Sequence, residues 1–457
     1  DLLKEHLEHL QATGQEDRID ARLAALVAAE LQPEEAVAVA ELLARLGRAA
    51  DATSVCEKAA AAFPTVDFSP LLGALETAGT VQADRKAQSA ASPSAAGGEA
   101  PLRVAVYTRD PISGARVQTR LAAPLSVLER ASMVEVRWSD GTVGADAGEH
   151  ADLVVIHRRF ASADGCGAIV DRARAAGKPV VFDLDDLWPE RLALNGDVAA
   201  DEARDDVATL VEAADATTVA SEALREELIR LVPNAAERIV VLEPMLDVGL
   251  WPSTIQAPPA ENRPLRVGLF SGWAHPTVSK EVVAALAPTL RAAAGKIQLT
   301  SWSPTTEARA IPRSPNVGAA TPFYREYSLA LQRAQLDLAL VPTSNDAYHA
   351  TLSDHVWLEL AACRVPGVFG AGAAFSSTVI GGQTGLIVGA EPSEWAEATV
   401  RLLESPAARS TLADRAWTIA FGERTVQQNA TAWFDLYVTL VSGRVETAEP
   451  VGAAVTT

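Results

Sequence analysis

The sequence predicts an α/β protein in which two Rossmann-like doubly wound domains are preceded by a small all-α helical-repeat domain. Three observations carry this expectation. Short Val- and Leu-rich runs alternate with helical stretches over most of the chain, the pattern of parallel sheets with crossover helices. A Pro-rich passage, Trp251 to Pro264 (WPSTIQAPPAENRP), divides that alternation into two sets. The first eighty or so residues instead show apolar positions at three- and four-residue spacing and no β-rich run.

Residues 1–81 therefore read as helical throughout. The stretch Pro33 to Val66 is 34 residues long, and Gly47, Ala52, Ala59 and Pro64 fall where a tetratricopeptide repeat places its turn glycine, two small packing residues and terminal proline. Ala21, Ala28 and Pro33 repeat the same steps in a looser earlier copy, with Gly14 two residues too early. The reading is a pair of helical hairpins, and its competitor is Ala-rich helices with chance spacing. Residues 82–101 (ending SAASPSAAGGEAP) hold too little hydrophobic bulk to pack and read as a linker.

The first αβ set, 102–250, has its expected strands at Leu102–Thr108, Met133–Trp138, Leu153–His157, Pro179–Phe182, Ala216–Val219 and Ile239–Leu242. A hinge over 251–264 leads to the second set, 265–422. Its expected strands are Leu265–Phe270, Ile297–Trp302, Leu336–Val341, Val365–Phe369 and Gly385–Val388. Residues 423–440 form a last helix and 441–457 a disordered tail. Two such sets place a cleft between them, and ligands of doubly wound sheets sit at the carboxyl ends of the strands.

Composition narrows the function classes. A net charge of −20 argues against a general nucleic-acid binder, which needs a basic surface to neutralise phosphates. It leaves room for a small anionic ligand, because repulsion is screened over about 8 Å and each helix N-terminus carries roughly half a positive charge. No window of the sequence nears the length of apolar chain that spans a membrane, and no basic-then-apolar leader opens it. Cys56, Cys166 and Cys363 form no CxxC pair, which fits a reducing cytoplasm better than a disulfide framework.

At the strand ends of the first set, TRDPISG delivers Gly114 just before a helix carrying Arg116 and Arg120. Gly114 allows a tight turn and close approach of a ligand, or simply a strand-to-helix turn. No full GxGxxG is present, so no dinucleotide cofactor is expected. The strand at Leu153 ends in His157-Arg158-Arg159, where His157 is either a general base or a polar strand cap. The strongest local signal is VVFDLDDLWPE, in which a strand runs into Asp183, Asp185 and Asp186 and then Trp188. Carboxylates this dense repel one another, a cost tolerated mainly where something is held. Acceptor-hydroxyl binding or base catalysis, a divalent metal through DxD, and capping of the next element compete. No further ligand at metal spacing accompanies the trio, so a metal is not expected.

In the second set, GLFSGWAHP brings Ser271, Gly272, Trp273 and His275 to a helix whose Pro276 suits a first turn. After the strand ending at Val341, Thr351 or Ser353 can cap the following helix and leave its N–H groups for a diphosphate. Glu359, six residues past Ser353, could accept hydrogen bonds from ribose hydroxyls; otherwise it faces solvent.

These passages resemble the GT-B glycosyltransferases of the group-1, family-4-like kind, in their DLDD-containing branch. The donor-binding half is matched by GLFSGWAHP, YSLALQRAQLDLALVPT, SDHVWLELAACRVPGVF, QTGLIV and EWAEATVRLLESPAAR, the partner half by SGARVQTRLAAPLSVL and VVFDLDDLW. Together they cover about residues 101–440. The resemblance implies a nucleotide diphosphate sugar donor, no required cofactor or metal, an acceptor bound by the first domain, retention of anomeric configuration, and a last helix crossing back to the first domain. Two positions depart from the pattern. Of two glutamates that the family separates by seven residues, Glu359 matches the second, while the first position holds Thr351. Leu352 precedes Ser353 where related chains carry Lys, a loss of charge that His275, Lys280 or Arg325 could offset.

The expected activity is therefore sugar transfer to an acceptor hydroxyl. Ser271, Gly272, Trp273, His275, Arg325, Thr351, Ser353 and Glu359 are the donor-binding candidates. Gly114, Arg120 and Asp183 are candidates for the acceptor, and Asp185, Asp186 and His157 for catalysis. The repeats suggest an acceptor protein; a surface polysaccharide or lipid-linked glycan, a non-catalytic nucleotide-sugar-binding scaffold, and an epimerase of the same fold are the alternatives.

Overall fold

A parallel strand covered on both faces has to be apolar at consecutive positions, as the inner strands of the two parallel sheets in the computed structural model are. The structure describes residue 36 and residues 49–63, 100–139, 148–158, 163–251, 263–274, 276–292, 296–302 and 323–447. The chain divides into two compact units, Asp1–Ala100 and Pro101–Thr457. In the first, the helix Ala49–Ala62 contains Ala52 and Ala59 and buries Val55, Cys56 and Ala59. Gly47, Pro64, the earlier repeat copy and residues 82–99 of the linker lie outside the described residues.

The second unit opens with β1 (Leu102–Thr108), β2 (Val134–Ser139), β3 (Leu153–His157), β4 (Val180–Leu184), β5 (Ala216–Val219) and β6 (Ile239–Val241). They form one parallel sheet in the order β2-β1-β3-β4-β5-β6. Every residue of β3, β4 and β5 is buried. Alternation of side chains across the sheet sends Tyr107, Ile156 and Phe182 to a face packed by the helices Ala163–Ala175, Ala200–Ala213 and Glu222–Leu231. Val106, Val155 and Val181 go to the other face, against Leu121 and Leu125 and against Trp433 and Tyr437 of the last helix.

A second parallel sheet contains β7 (Leu265–Phe270), β8 (Ile297–Trp302), β9 (Leu338–Val341), β10 (Gly367–Gly370) and β11 (Leu386–Val388), in the order β11-β10-β9-β7-β8. Phe270, Val341 and Phe369 face the helices Tyr324–Ala334, His355–Ala362 and Pro406–Glu423, while Val267, Leu340 and Val368 face the helices Pro276–Ala292 and Pro392–Glu404.

Two passages join the lobes and run side by side. The Leu246 N–H donates to the Arg424 carbonyl at 2.8 Å and the Val426 N–H to the Leu246 carbonyl at 3.0 Å. Leu246 and Trp251 are already buried in the second core. The final helix, Thr431–Thr447, packs on the first sheet and runs past Leu440, so residues 441–447, expected as tail, are helical. No helix among the described residues is long and apolar enough to cross a membrane.

Candidate functional site

Strand order reverses between β1 and β3 in the first sheet and between β7 and β9 in the second, and crevices open at such switch points beyond the carboxyl ends of the strands. At the first of them a polar row crosses the sheet in register, Thr108 beside His157, His157 beside Asp183, Asp183 beside Thr218.

Asp183 is fully buried. Its Oδ1 accepts hydrogen bonds from Arg120 Nη2 and Thr218 Oγ1, both at 2.7 Å, and its Oδ2 lies 2.9 Å from His157 Nδ1. Burial works to raise its pKa, but the Arg120 guanidinium and His157 outweigh that and hold it below the usual carboxylate range. Arg120, only 1% exposed, also donates to the Leu242 carbonyl. It reaches Asp183 from a π-helical turn, Gln118–Ala122, set between the helical segments Ala115–Val117 and Ala123–Arg130. The acceptor-binding candidates Arg120 and Asp183 are thus a buried ion pair beneath the site, with no exposed edge to offer a ligand. Gly114 stands at the turn into this segment, where a Cβ would come 3.0 Å from the Pro111 carbonyl oxygen. His157 is 1% exposed, and its Nε2 has no hydrogen-bond partner among the described residues.

Asp185 and Asp186 turn the other way. Arg158, in the left-handed region at φ 56°, donates through Nη1 to both, at 2.5 Å from Asp186 Oδ1, while its own N–H donates to the Asp183 carbonyl. A non-glycine residue in that conformation carries strain of order 1 kcal/mol and marks a geometry imposed by its surroundings. Arg116 Nε lies 3.6 Å from Asp185 Oδ2, and Asp110 lies 3.7 Å from Arg158 Nε. Although burial opposes it, Arg158 keeps the Asp185 carboxyl well below its ordinary pKa. Asp186 is pushed up, by burial first and then by the neighbouring Asp185 charge. The two share one cation and titrate as a pair. Asp183 thus pairs with Arg120, while Asp185 and Asp186 pair with Arg158.

The second lobe meets this cluster through the loop after β9. The Tyr348 hydroxyl donates to Asp186 Oδ2 at 3.2 Å, and Arg191 lies 5.9 Å from the Tyr348 ring centre. Ser221 Oγ donates to the Thr351 carbonyl at 2.7 Å, and the Tyr324 N–H to the Ser113 carbonyl at 2.8 Å. The two switch points therefore face each other.

Among the donor-binding candidates, Ser271, Gly272 and Trp273 form the 3-10 turn that ends β7 and leads to the helix Pro276–Ala292; His275 lies outside the described residues. Arg325 is exposed on the helix Tyr324–Ala334. The N-cap of the helix His355–Ala362 is Asp354, not Thr351 or Ser353; Thr351 spends its hydroxyl on the Tyr348 carbonyl, at 2.8 Å. Asp354 in turn binds Thr378 Oγ1 and Arg424. Glu359 is buried rather than solvent-facing. Tyr327 donates to its Oε2 at 2.9 Å, and His355 Nε2 stands 2.9 Å from its Oε1 and 2.8 Å from the Tyr324 hydroxyl. Burial first, then the Glu359 charge, raises both phenols well above their ordinary pKa.

Sequence reasoning missed Tyr348 and Ser221 as site residues, and treated Arg158 only as a neighbour of His157. The position of Arg158 at a strand end was a usable signal. Nothing local marks Tyr348, whose role depends on the other lobe.

No family model and no curated protein matches this chain. Among solved structures, sucrose-phosphate synthase from Thermosynechococcus elongatus aligns with a TM-score of 0.53 at 14% identity, over 75% of this chain and 100% of its own. HepE of Anabaena, solved in complex with UDP and glucose, aligns at 0.47 and 17% identity over 76% and 98%. The α,α-trehalose 6-phosphate synthase of Burkholderia multivorans aligns at 0.45 and 16% over 66% and 73%. The likeness to the sucrose-phosphate synthase is one of fold, and with the two facing parallel sheets it makes the architecture of this chain the two-lobed GT-B α/β fold.

Proposed function

We propose that this chain is a glycosyltransferase that moves a sugar from a nucleotide diphosphate sugar to an acceptor hydroxyl. The observation that carries the reading is the acid and arginine cluster at the first switch point, set against the loop that leaves the second. Sugar transfer needs an anchored donor, a stabilised leaving diphosphate and an acceptor hydroxyl placed at the anomeric carbon. The turn Ser271–Trp273 and the start of the helix His355–Ala362 would supply backbone N–H groups for the diphosphate, with His275 a further candidate from the sequence. Thr351 and Ser353, just before the helix His355–Ala362, and Arg325, on the helix that meets His355 through Tyr324, are the further donor-side candidates. Glu359, through Tyr327 and His355, shapes the pocket for the nucleoside.

On the acceptor side Asp186 is the better placed of the two free-loop acids. Arg158 pairs with both, but Arg116 stands by Asp185 and helps hold it ionised, whereas burial and the like charge of Asp185 make Asp186 the more basic of the two. It accepts the hydrogen bond of the incoming hydroxyl. Gly114, two residues before Arg116, is a further acceptor-side candidate, and the buried His157, held by Asp183, would act from beneath the site. The reading takes the transfer as retaining and metal-independent; an inverted product would make Asp186 the base that removes the proton. The helical segment 1–81 would select an acceptor protein in the cytoplasm.

Thermal shift against UDP-, GDP- and ADP-sugars identifies the donor, since a ligand that binds only the folded state raises its stability. Release of nucleoside diphosphate from that donor, lost in Asp186→Asn and in Glu359→Gln, is the expected result. Donor binding without any turnover in the presence of acceptor extracts would point to a scaffold and sink the enzymatic reading. Deleting residues 1–90 should abolish transfer to protein while donor hydrolysis survives; unchanged transfer would point to a glycan acceptor.

A further inference from the structure

Two hydrogen bonds tie the turn that follows β9 to the first lobe, and of their groups on the turn one is ionisable. Thr351 offers a carbonyl to Ser221, while Tyr348 places a phenol on Asp186. The turn is stiff for its length. Asp346 accepts from the N–H groups of Tyr348 at 3.2 Å and His349 at 3.0 Å and lies 2.6 Å from His349 Nδ1. The Tyr348 ring is 8% exposed, edge-on to His349 with centroids 5.0 Å apart. A phenol held this way delivers its hydroxyl to one place.

Asp186 has two oxygens to satisfy. Oδ1 takes Arg158, a cation shared with Asp185, and Oδ2 takes Tyr348. The other charged and titratable groups facing the pair are Asp185 itself, Arg116 from the segment after β1, Arg191 from the helix Trp188–Leu194, and His157 beside Asp185. All of these belong to the first lobe. Among the described residues, Tyr348 is the second lobe's hydrogen bond to this acid.

We propose that Tyr348 is a positioning residue that holds Asp186 as an oriented carboxylate only while the lobes are together, so that the acceptor side is ready when the donor side is in place. This rests on the assignment of Asp186 made above. A donor to a carboxylate favours its charged form, and a phenol that arrives with the other lobe makes that support conditional on closure. The bond from Ser221 to Thr351 spans the same gap but ends on a carbonyl, which makes it the control.

The test follows donor hydrolysis, with water as acceptor, in the full chain. The probe is whichever of UDP-glucose, GDP-mannose and ADP-glucose gives the largest thermal shift, and the rate is taken from about pH 5 to 9. Tyr348→Phe keeps the ring and its packing. It should lower kcat about tenfold and move the acid limb of the profile up by about one unit, with nucleotide affinity changed less than about twofold. Ser221→Ala should leave the limb in place. In the ligand-free protein the same displacement should appear in the pH dependence of the melting temperature, a readout that needs no turnover. A Tyr348→Phe profile whose limb coincides with the parent's overturns the proposal, whatever happens to kcat, because a merely structural role lowers the rate without moving a titration. Full hydrolysis by Asp186→Asn would instead overturn the assignment of Asp186, and this proposal with it.

Discussion

Asp183, in β4, and Asp186, just beyond its end, lie three residues apart, and burial works to raise the pKa of both, yet their charged partners leave them shifted in opposite directions. Asp183 is enclosed by donors, so its depressed pKa means that its ionised form stabilises the fold. That contribution is present above the unfolded value of about 3.9 and is lost as pH falls through the lower folded value. Asp183→Asn leaves Arg120 buried without its charge partner and should cost about 3 kcal/mol at neutral pH, a penalty that shrinks below about pH 4 in urea melts. Asp186 has a raised pKa, so the sign reverses. Stability tied to its proton is complete below about 3.9 and is lost as pH rises through the folded value. Asp186→Asn, which cannot ionise, should therefore melt above the parent, by a margin that opens as pH rises from about 3.9 through the raised folded value. A margin that stays flat would show that Asp186 does not carry the strained charge. A gain in stability joined to a loss of turnover would mark a residue kept for function.

At the scale of elements, the strand ends were the most legible part of the sequence. All eleven expected runs appear as strands; the inner ones were plainest, because a fully covered parallel strand needs an unbroken apolar run, while the edge strands β2 and β8 mix in polar residues. Hence the reading reached Asp183, Asp185, Asp186 and His157 at one sheet edge. It failed to sort them, because their partners come from elements whose detailed geometry no short pattern encodes. Arg120 was expected on a regular helix facing the cleft, but the π-helical turn Gln118–Ala122 rotates it into the core. The cap of the helix His355–Ala362 was misread for a related reason. Asp354 occupies the N-cap position but turns its carboxylate to Arg424, a residue seventy positions away. The π turn is testable on its own terms. Deleting Gln118 removes its extra residue and restores α-helical register, which swings Arg120 away from Asp183. The variant should lose about 3 kcal/mol, and combining it with Asp183→Asn should cost much less than the sum, since both remove one interaction. Additive losses would mean that the turn does not exist to place Arg120.

At the scale of the whole molecule, the two-lobed plan was legible from one Pro-rich interruption and two runs of alternation, but the coupling between the lobes was not. It depends on contacts between residues far apart in the chain, of which Arg424 is the hub. Its guanidinium donates to Asp354 in the second lobe, at 3.1 and 3.3 Å, and to the Pro244 carbonyl at 3.1 Å, and it lies 3.3 Å from Glu243. Burial alone would lower its pKa, but Asp354 and Glu243 raise it, so the cation persists at any ordinary pH. With side-chain exposures of 14% for Arg424 and 8% for Asp354, this pair is screened far less than a surface ion pair. Arg424→Ala would leave Asp354 buried beside Thr378 alone and free the two crossing passages from each other. About 2 kcal/mol of stability should go. The larger effect should be on lobe geometry. Small-angle scattering should then show a wider particle in the absence of ligand, contracting when a nucleotide sugar binds, because a ligand that contacts both lobes favours the closed arrangement by its differential affinity. The Tyr348 and Ser221 contacts span the same cleft, so they should weaken in step. The Asp186 titration in Arg424→Ala should move in the same direction as in Tyr348→Phe. A particle of unchanged width would place the restraint elsewhere, in the final helix Thr431–Thr447 that ties the end of the chain to the first sheet.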